Sequence, residues 1–131
     1  MTHTATCCCG QLTLSFDGER PPASMCHCFQ CQRRTGSAYG LQVSLAKSRV
    51  CLTGTASTWQ RTGDEGALVT FSFCPTCATT LYWEIDMMPD ALVVAVGAFN
   101  DPTWPAPTFS VYEERAHCWW VRPLTVTTFM D

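Results

Sequence analysis

The sequence predicts a mainly β domain with little helix, and three observations carry that expectation. Apolar residues recur at every second position in short runs along the chain, the pattern of half-buried strands. Turn-forming segments divide those runs: Asp17-Gly18, Gly63-Asp64-Glu65-Gly66 and the proline-rich residues 101–107. Seven of the ten cysteines among the 131 residues fall into three clusters, Cys7/Cys9, Cys26/Cys28/Cys31 and Cys74/Cys77. Such spacing lets neighbouring sulfurs converge on one ion about 2.3 Å away, and metal is a common supplement to small β cores.

The elements follow in order. Residues 11–16 place Leu12, Leu14 and Phe16 on one face, and period two defines a strand face. A short helix is expected at residues 29–34, on the central cysteine cluster. Residues 41–45 repeat the alternation with Leu41, Val43 and Leu45, and residues 50–52 and 58–60 flank a Thr53-Gly54 turn. Leu68–Phe73 sets Val69, Phe71 and Phe73 on one side; Thr80–Ile85, residues 92–96 and residues 109–112 complete roughly eight strands. There is no repeat, low-complexity tract or linker, so residues 1–131 are expected to form one domain.

Composition narrows the function classes. The apolar fraction is 47% and the charged fraction 15%, which places the chain among folded rather than disordered sequences. Net charge is −3 with eight Lys and Arg; a nucleic-acid binder carries a basic face, so no nucleic-acid partner is expected. No apolar stretch is long enough to span a membrane, and no basic segment followed by an apolar core precedes Cys7. A cytoplasmic location is the expectation. Thiols stay reduced there, and clustered cysteines read as metal ligands rather than as disulfide scaffolding. No phosphate-binding glycine loop or nucleophilic serine motif occurs.

The ligand count bears on function. Two tetrahedral zinc sites take eight ligands, and the three clusters supply seven. One site is therefore closed and structural, and the other keeps an open position, which is the catalytic pattern. The count does not say which clusters share an ion. If Cys7 and Cys9 lie in a strand, both face one way and Cys8 faces the other, as a free thiol. A Zn2+ ion on three thiolates carries a formal charge of −1 and suits activation of a substrate thiol, because coordination deprotonates it.

The same residues resemble a known family. Cys7–Gly10 in the pattern C-x-C-G, Cys26-His27-Cys28 followed by Cys31, the stretch Arg33-Arg34-Thr35-Gly36-Ser37-Ala38, and Phe73-Cys74 with Cys77 are similar to the glutathione-dependent formaldehyde-activating enzymes. So are Thr79-Thr80-Leu81-Tyr82-Trp83, Gly97-Ala98-Phe99-Asn100-Asp101-Pro102 and Val111-Tyr112-Glu113-Glu114-Arg115 followed by Trp119. The resemblance implies a zinc-stabilised β-tent of short antiparallel sheets. It implies a structural zinc on Cys7, Cys9, Cys74 and Cys77, and a catalytic zinc on Cys26, Cys28 and Cys31. The implied reaction is carbon–sulfur lyase or synthase chemistry on a thiol adduct, S-hydroxymethylglutathione, formed from glutathione and formaldehyde. Two departures stand out: Ala78 takes the place of a glycine after the second knuckle, and His117-Cys118 precedes Trp119 where a proline is common.

The remaining candidates are weaker. Arg33 or Arg34 is expected to bind a carboxylate of the thiol substrate, which guanidinium does bidentately; a solvated pair or a salt bridge is the plainer alternative. Ser37 is placed to hydrogen-bond the electrophile's oxygen or to serve a turn. His27, between two ligands, is expected to point away from the metal, His3 to be disordered, and His117 to be structural or exposed. Trp83, Trp104, Trp119 and Trp120 read as core and rim. Two rival functions stay open. One is a non-catalytic binding or carrier module on the same fold, with Cys51 or Cys118 filling the fourth position. The other is a reductase similar to methionine-R-sulfoxide reductases, for which Cys118 is the candidate reactive thiol.

Overall fold

The computed structural model describes residues 1–131, and it is mainly β. Its elements are β1 (Thr2–Thr6), β2 (Thr13–Asp17), β3 (Ser24–Cys26), α1 (Phe29–Thr35), β4 (Gly40–Ala46), β5 (Val50–Thr53), β6 (Ser57–Thr62), β7 (Leu68–Phe73), β8 (Thr80–Ile85), β9 (Ala91–Ala95), β10 (Phe109–Val111) and β11 (Thr128–Phe129). The chain forms two compact units, each from two separate stretches: Met1–Glu19 with Ser44–Asn100, and Arg20–Val43 with Asp101–Asp131. No helix is long and apolar enough to cross a membrane.

The first unit contains the antiparallel sheet β1-β2-β5 and the antiparallel run β6-β7-β8-β9. The predicted face is inside: Leu14 and Phe16 of β2 are 0% and 2% exposed, and Leu12, just before the strand, is 1% exposed. Val69, Phe71, Trp83 and Val93 build a second apolar cluster, with Phe71 stacked on Trp59 and tilted against Trp83. The turn at Thr53-Gly54 does not close a hairpin, because β5 pairs β2 while β6 pairs β7. Gln11 explains the division. Its amide donates to Thr55 O at 2.7 Å, and its Oε1 accepts from Thr55 N at 2.8 Å, occupying the backbone groups a partner strand would use. Gly54, at φ 93°, permits this approach: a Cβ there would lie 2.0 Å from Gln11 O.

In the second unit, β3 pairs antiparallel with β4, while β10 runs parallel to both β3 and β11. The sheets are thus not uniformly antiparallel. Strand β10 enters from the proline-rich stretch far along the chain, and a long connection carries no hairpin constraint on direction. Trp104 is buried and its indole N–H donates to Pro21 O at 2.9 Å.

His3 is ordered, contrary to expectation. It lies in β1, pairs with Phe16, packs tilted against the Phe16 ring at 5.1 Å and bonds Gly18 O at 3.0 Å. Strand β1 carries no large apolar residue, so alternation did not reveal it; its threonines suit an edge strand. Trp83 and Trp104 are buried, and Trp119 is 64% exposed, the core and rim roles expected of them.

Candidate metal centres

Strands β1 and β2 are joined by a turn that brings Cys7 and Cys9 together. Gly10 N donates to Cys7 O at 3.0 Å, and Gly10 adopts φ 89°. The pair therefore lies in a turn, not in the strand that the same-face argument assumed. The outcome for Cys8 is the same: it is exposed and its backbone N–H bonds Thr79 Oγ1 at 3.0 Å. A bulge between Ser72 and Phe73 ends β7, and the chain then turns through Cys74-Pro75-Thr76-Cys77, with Ala78 N donating to Cys74 O at 2.8 Å.

These two turns bring the sulfurs of Cys7, Cys9, Cys74 and Cys77 within 4.8 Å of one another. Four sulfurs held tetrahedrally at about 2.3 Å from a metal stand roughly 3.8 Å apart. The sulfurs of Cys7 and Cys9 are 3.7 Å apart, and those of Cys9 and Cys74 are 3.6 Å apart. All ten cysteines are free thiols. The surroundings also suit charged sulfur. Leu12 N donates to Cys7 at 3.3 Å, Gln11 Nε2 to Cys74 at 2.9 Å and Thr76 N to Cys74 at 3.4 Å. Donation from the Thr79 hydroxyl, and next from its backbone N–H, draws the Cys77 thiol down to about 5. These four residues can hold a metal ion.

Ala78 sits at φ 67°, the left-handed position that Gly10 fills in the first turn. An L-residue there costs roughly 1–2 kcal/mol against glycine, less the extra freedom glycine has when unfolded. Ala78→Gly is expected to stabilise the metal-loaded protein by about 1 kcal/mol, read as a higher denaturant midpoint. An unchanged or lower midpoint would show that the knuckle is not strained at this residue.

The second group is Cys26, Cys28 and Cys31, 6%, 8% and 9% exposed, with sulfurs within 4.8 Å of one another. Cys26 ends β3, and its partner in β4 is Gly40. Cys28 is the N-cap of α1, its Sγ accepting from Cys31 N at 3.3 Å. The helix thus begins on a ligand pair, and its first turn sets the C-x2-C spacing. Val111 and Tyr112 pack against the cluster of three cysteines. The Cys28 and Cys31 sulfurs, followed by burial, push the Cys26 thiol well above its ordinary range. Three sulfurs crowded out of water resist charging alone, and a cation relieves that cost. This group too can hold a metal.

His27 points away from the sulfurs, as expected from its place between them. It is 0% exposed, its Nε2 lies 3.2 Å from Ser110 Oγ, and its ring packs against Trp120 and Tyr39. Burial lowers its pKa and favours the neutral ring. Gln32, which the sequence did not single out, ties the site together. Its Nε2 donates to His27 O at 2.9 Å and Arg115 O at 3.0 Å, and its Oε1 lies 3.0 Å from His117 Nε2. No spacing signal marks it, because two of its three partners, Arg115 O and the His117 ring, are 83 and 85 residues away in sequence. Arg33 and Ser37 are exposed at the end of α1, with Ser37 N bonded to Thr35 Oγ1 at 3.0 Å. Arg34 is turned inward and hydrogen-bonds Cys31; burial lowers its pKa, with the charge of Cys31 as the main opposing influence. Cys51 and Cys118 are exposed and belong to neither group.

A mainly β chain with one four-cysteine and one three-cysteine group, each able to hold a metal, defines the class of protein: a small β fold with two candidate thiolate metal centres. The sequence model of the glutathione-dependent formaldehyde-activating enzyme family matches residues 2–115, which include both groups. The chain belongs to that family. A crystal structure of a Rhodobacter sphaeroides protein superposes with a TM-score of 0.58 at 21% identity, covering 76% of this chain and 91% of that one; at this identity the likeness is one of fold. No curated protein matches the chain. At the level of the family, the activity is activation of formaldehyde with glutathione.

Proposed function

We propose that the chain joins glutathione to formaldehyde at the Cys26/Cys28/Cys31 centre, as a carbon–sulfur lyase or synthase holding zinc at both cysteine groups. The observation that carries this is the division into four and three: a four-sulfur set closes a tetrahedron, and a three-sulfur set leaves a position for a substrate thiol. A zinc ion on the three-sulfur set supplies a place where a thiol sulfur is held deprotonated. The sulfur forms a bond to the formaldehyde carbon, the carbon–oxygen π bond breaks, and the oxygen takes a proton to give S-hydroxymethylglutathione. No oxidant or reductant is needed.

The protein's residues divide the rest of the work. Val111 and Tyr112 wall the centre with apolar surface, which strengthens electrostatic interactions at the sulfurs. In this reading exposed Arg33 offers a carboxylate of glutathione a bidentate partner, and exposed Ser37 supplies a hydroxyl donor for the developing alkoxide. Free thiols already add to formaldehyde, so most of the gain comes from proximity and from the thiolate fraction.

The test is adduct formation followed by NMR exchange between formaldehyde and glutathione, alongside metal content per chain. Two zinc ions per chain and exchange faster than the uncatalysed mixture support the reading. Two zinc ions with no acceleration would instead make this a binding or carrier module on the same fold.

A further inference from the structure

Arg34 lies in the last turn of α1, where a basic residue usually faces solvent and complements the helix end. Here its Nη2 is fully buried. Strand β4 makes room for it. A Cβ added to Gly40 would lie 2.7 Å from Arg34 Nη2, 3.2 Å from Gln42 Oε1 and 3.3 Å from Cys31 Cβ. Gly40 has an ordinary backbone conformation, so no left-handed turn calls for glycine at this position. What the missing side chain provides is the space that the guanidinium fills, next to the ligand Cys31 and directly across from the ligand Cys26 in the β3–β4 register.

The charge balance shows what such a placement does. Zinc on three thiolates carries −1, and a substrate thiolate would take the centre to −2 inside a largely buried pocket. That is a costly accumulation of one sign. A guanidinium against the sulfurs returns the resting centre to neutral and the thiol-bound centre to −1. Arginine suits this role because it stays charged when buried.

We infer that Arg34 is a positioning residue that supplies the counter-charge of the three-cysteine centre, and that Gly40 is the opening through which it reaches the sulfurs. The inference rests on the proposal that Cys26, Cys28 and Cys31 hold a metal. It extends that proposal by naming the residue that lets an anionic centre accept a further anionic ligand. Arg33, one residue earlier and exposed, is left to meet solvent and substrate.

The experiment is zinc titration against a chromophoric chelator, with glutathione binding by calorimetry, on the full chain and on Arg34→Gln, Arg34→Lys and Gly40→Ala. The wild type is expected to bind two zinc ions. Arg34→Gln is expected to keep one at unchanged affinity and to hold the other roughly 10–100-fold more weakly, the usual effect of losing a residue that supports a metal ligand. Glutathione binding should weaken with it. Arg34→Lys keeps the charge and should recover most of the loss. Gly40→Ala should resemble Arg34→Gln, and the double variant should be no worse than either single one, because both act through one guanidinium.

Equal zinc affinity in Arg34→Gln and wild type would overturn the inference. So would a lysine variant as weak as the glutamine one, since the residue would then act through packing rather than charge. A wild type that binds only one zinc ion would instead overturn the reading of the three-cysteine centre itself, whatever the variants do. If Arg34→Gln fails to fold, the comparison of Gly40→Ala with Arg34→Lys decides the matter.

Discussion

Stripping the metal from the Cys7/Cys9/Cys74/Cys77 centre is expected to lower the melting temperature by about 12–20 °C. The centre ties the turn after β1 to the turn after β7, and its ligands Cys9 and Cys74 are 65 residues apart. A cross-link over a loop of that length restricts the unfolded chain by about 4 kcal/mol. For a domain of this size each kcal/mol moves the midpoint by roughly 3–5 °C, and zinc–thiolate bonding adds to the entropic effect. The natural probe is a far-UV circular dichroism melt with and without a strong chelator. Cys74→Ser, which empties this centre and leaves the three-cysteine group loaded, should show the same loss, because Cys74 is 0% exposed and its sulfur accepts hydrogen bonds from Gln11 and Thr76. The Gln11 contact makes the effect reach beyond the knuckle, since the same side chain holds Thr55 where β5 and β6 part. A chelated protein melting within about 2 °C of the loaded one would mean the four sulfurs are not a stabilising metal site.

The parts of this molecule that were legible in the sequence are those where one local rule decides the outcome. Leu68–Phe73 sets Val69, Phe71 and Phe73 at every second position, Thr80–Ile85 is a short apolar and aromatic run, and both strands form over those residues. The helix at Phe29–Thr35 matches the short segment expected on the central cysteines. The cysteine count divides into four and three before any geometry is known, and the sulfurs gather into those two groups. The less legible parts depend on partners distant in the chain. Strand β3 is three residues long and exists because β4 and β10 pair with it. Cys7 and Cys9 converge through a turn fixed by Gly10, where period-two reasoning pointed to a strand. The inward course of Arg34 is set by a glycine on another strand, which no periodicity in residues 29–35 contains.

Cys28→Ser is expected to abolish the acceleration of glutathione–formaldehyde exchange while leaving the fold and the other metal in place. The choice of serine matters. Cys28 has two roles: its sulfur belongs to the three-cysteine group, and it caps α1 by accepting from Cys31 N at 3.3 Å. Serine is among the best N-cap residues, so the hydroxyl keeps the cap and removes one thiolate. Cys28→Ala removes both and should cost a further ~1 kcal/mol of stability. Metal content should fall from two ions per chain to one in each variant, and the melting temperature should separate them. The exchange rate tests the chemistry through its pH dependence. Below the ordinary thiol pKa of about 8.5, the uncatalysed reaction slows about tenfold for each unit of falling pH, following the thiolate fraction. A chain that holds the substrate sulfur deprotonated escapes that decline, so its advantage over the background should widen from pH 8 toward pH 6, here taken as about one unit either side of neutral. Cys28→Ser should follow the background slope throughout. A variant that lost the second ion yet kept the flat profile would show that the three sulfurs do not activate the thiol, and the carrier reading would then account better for the site.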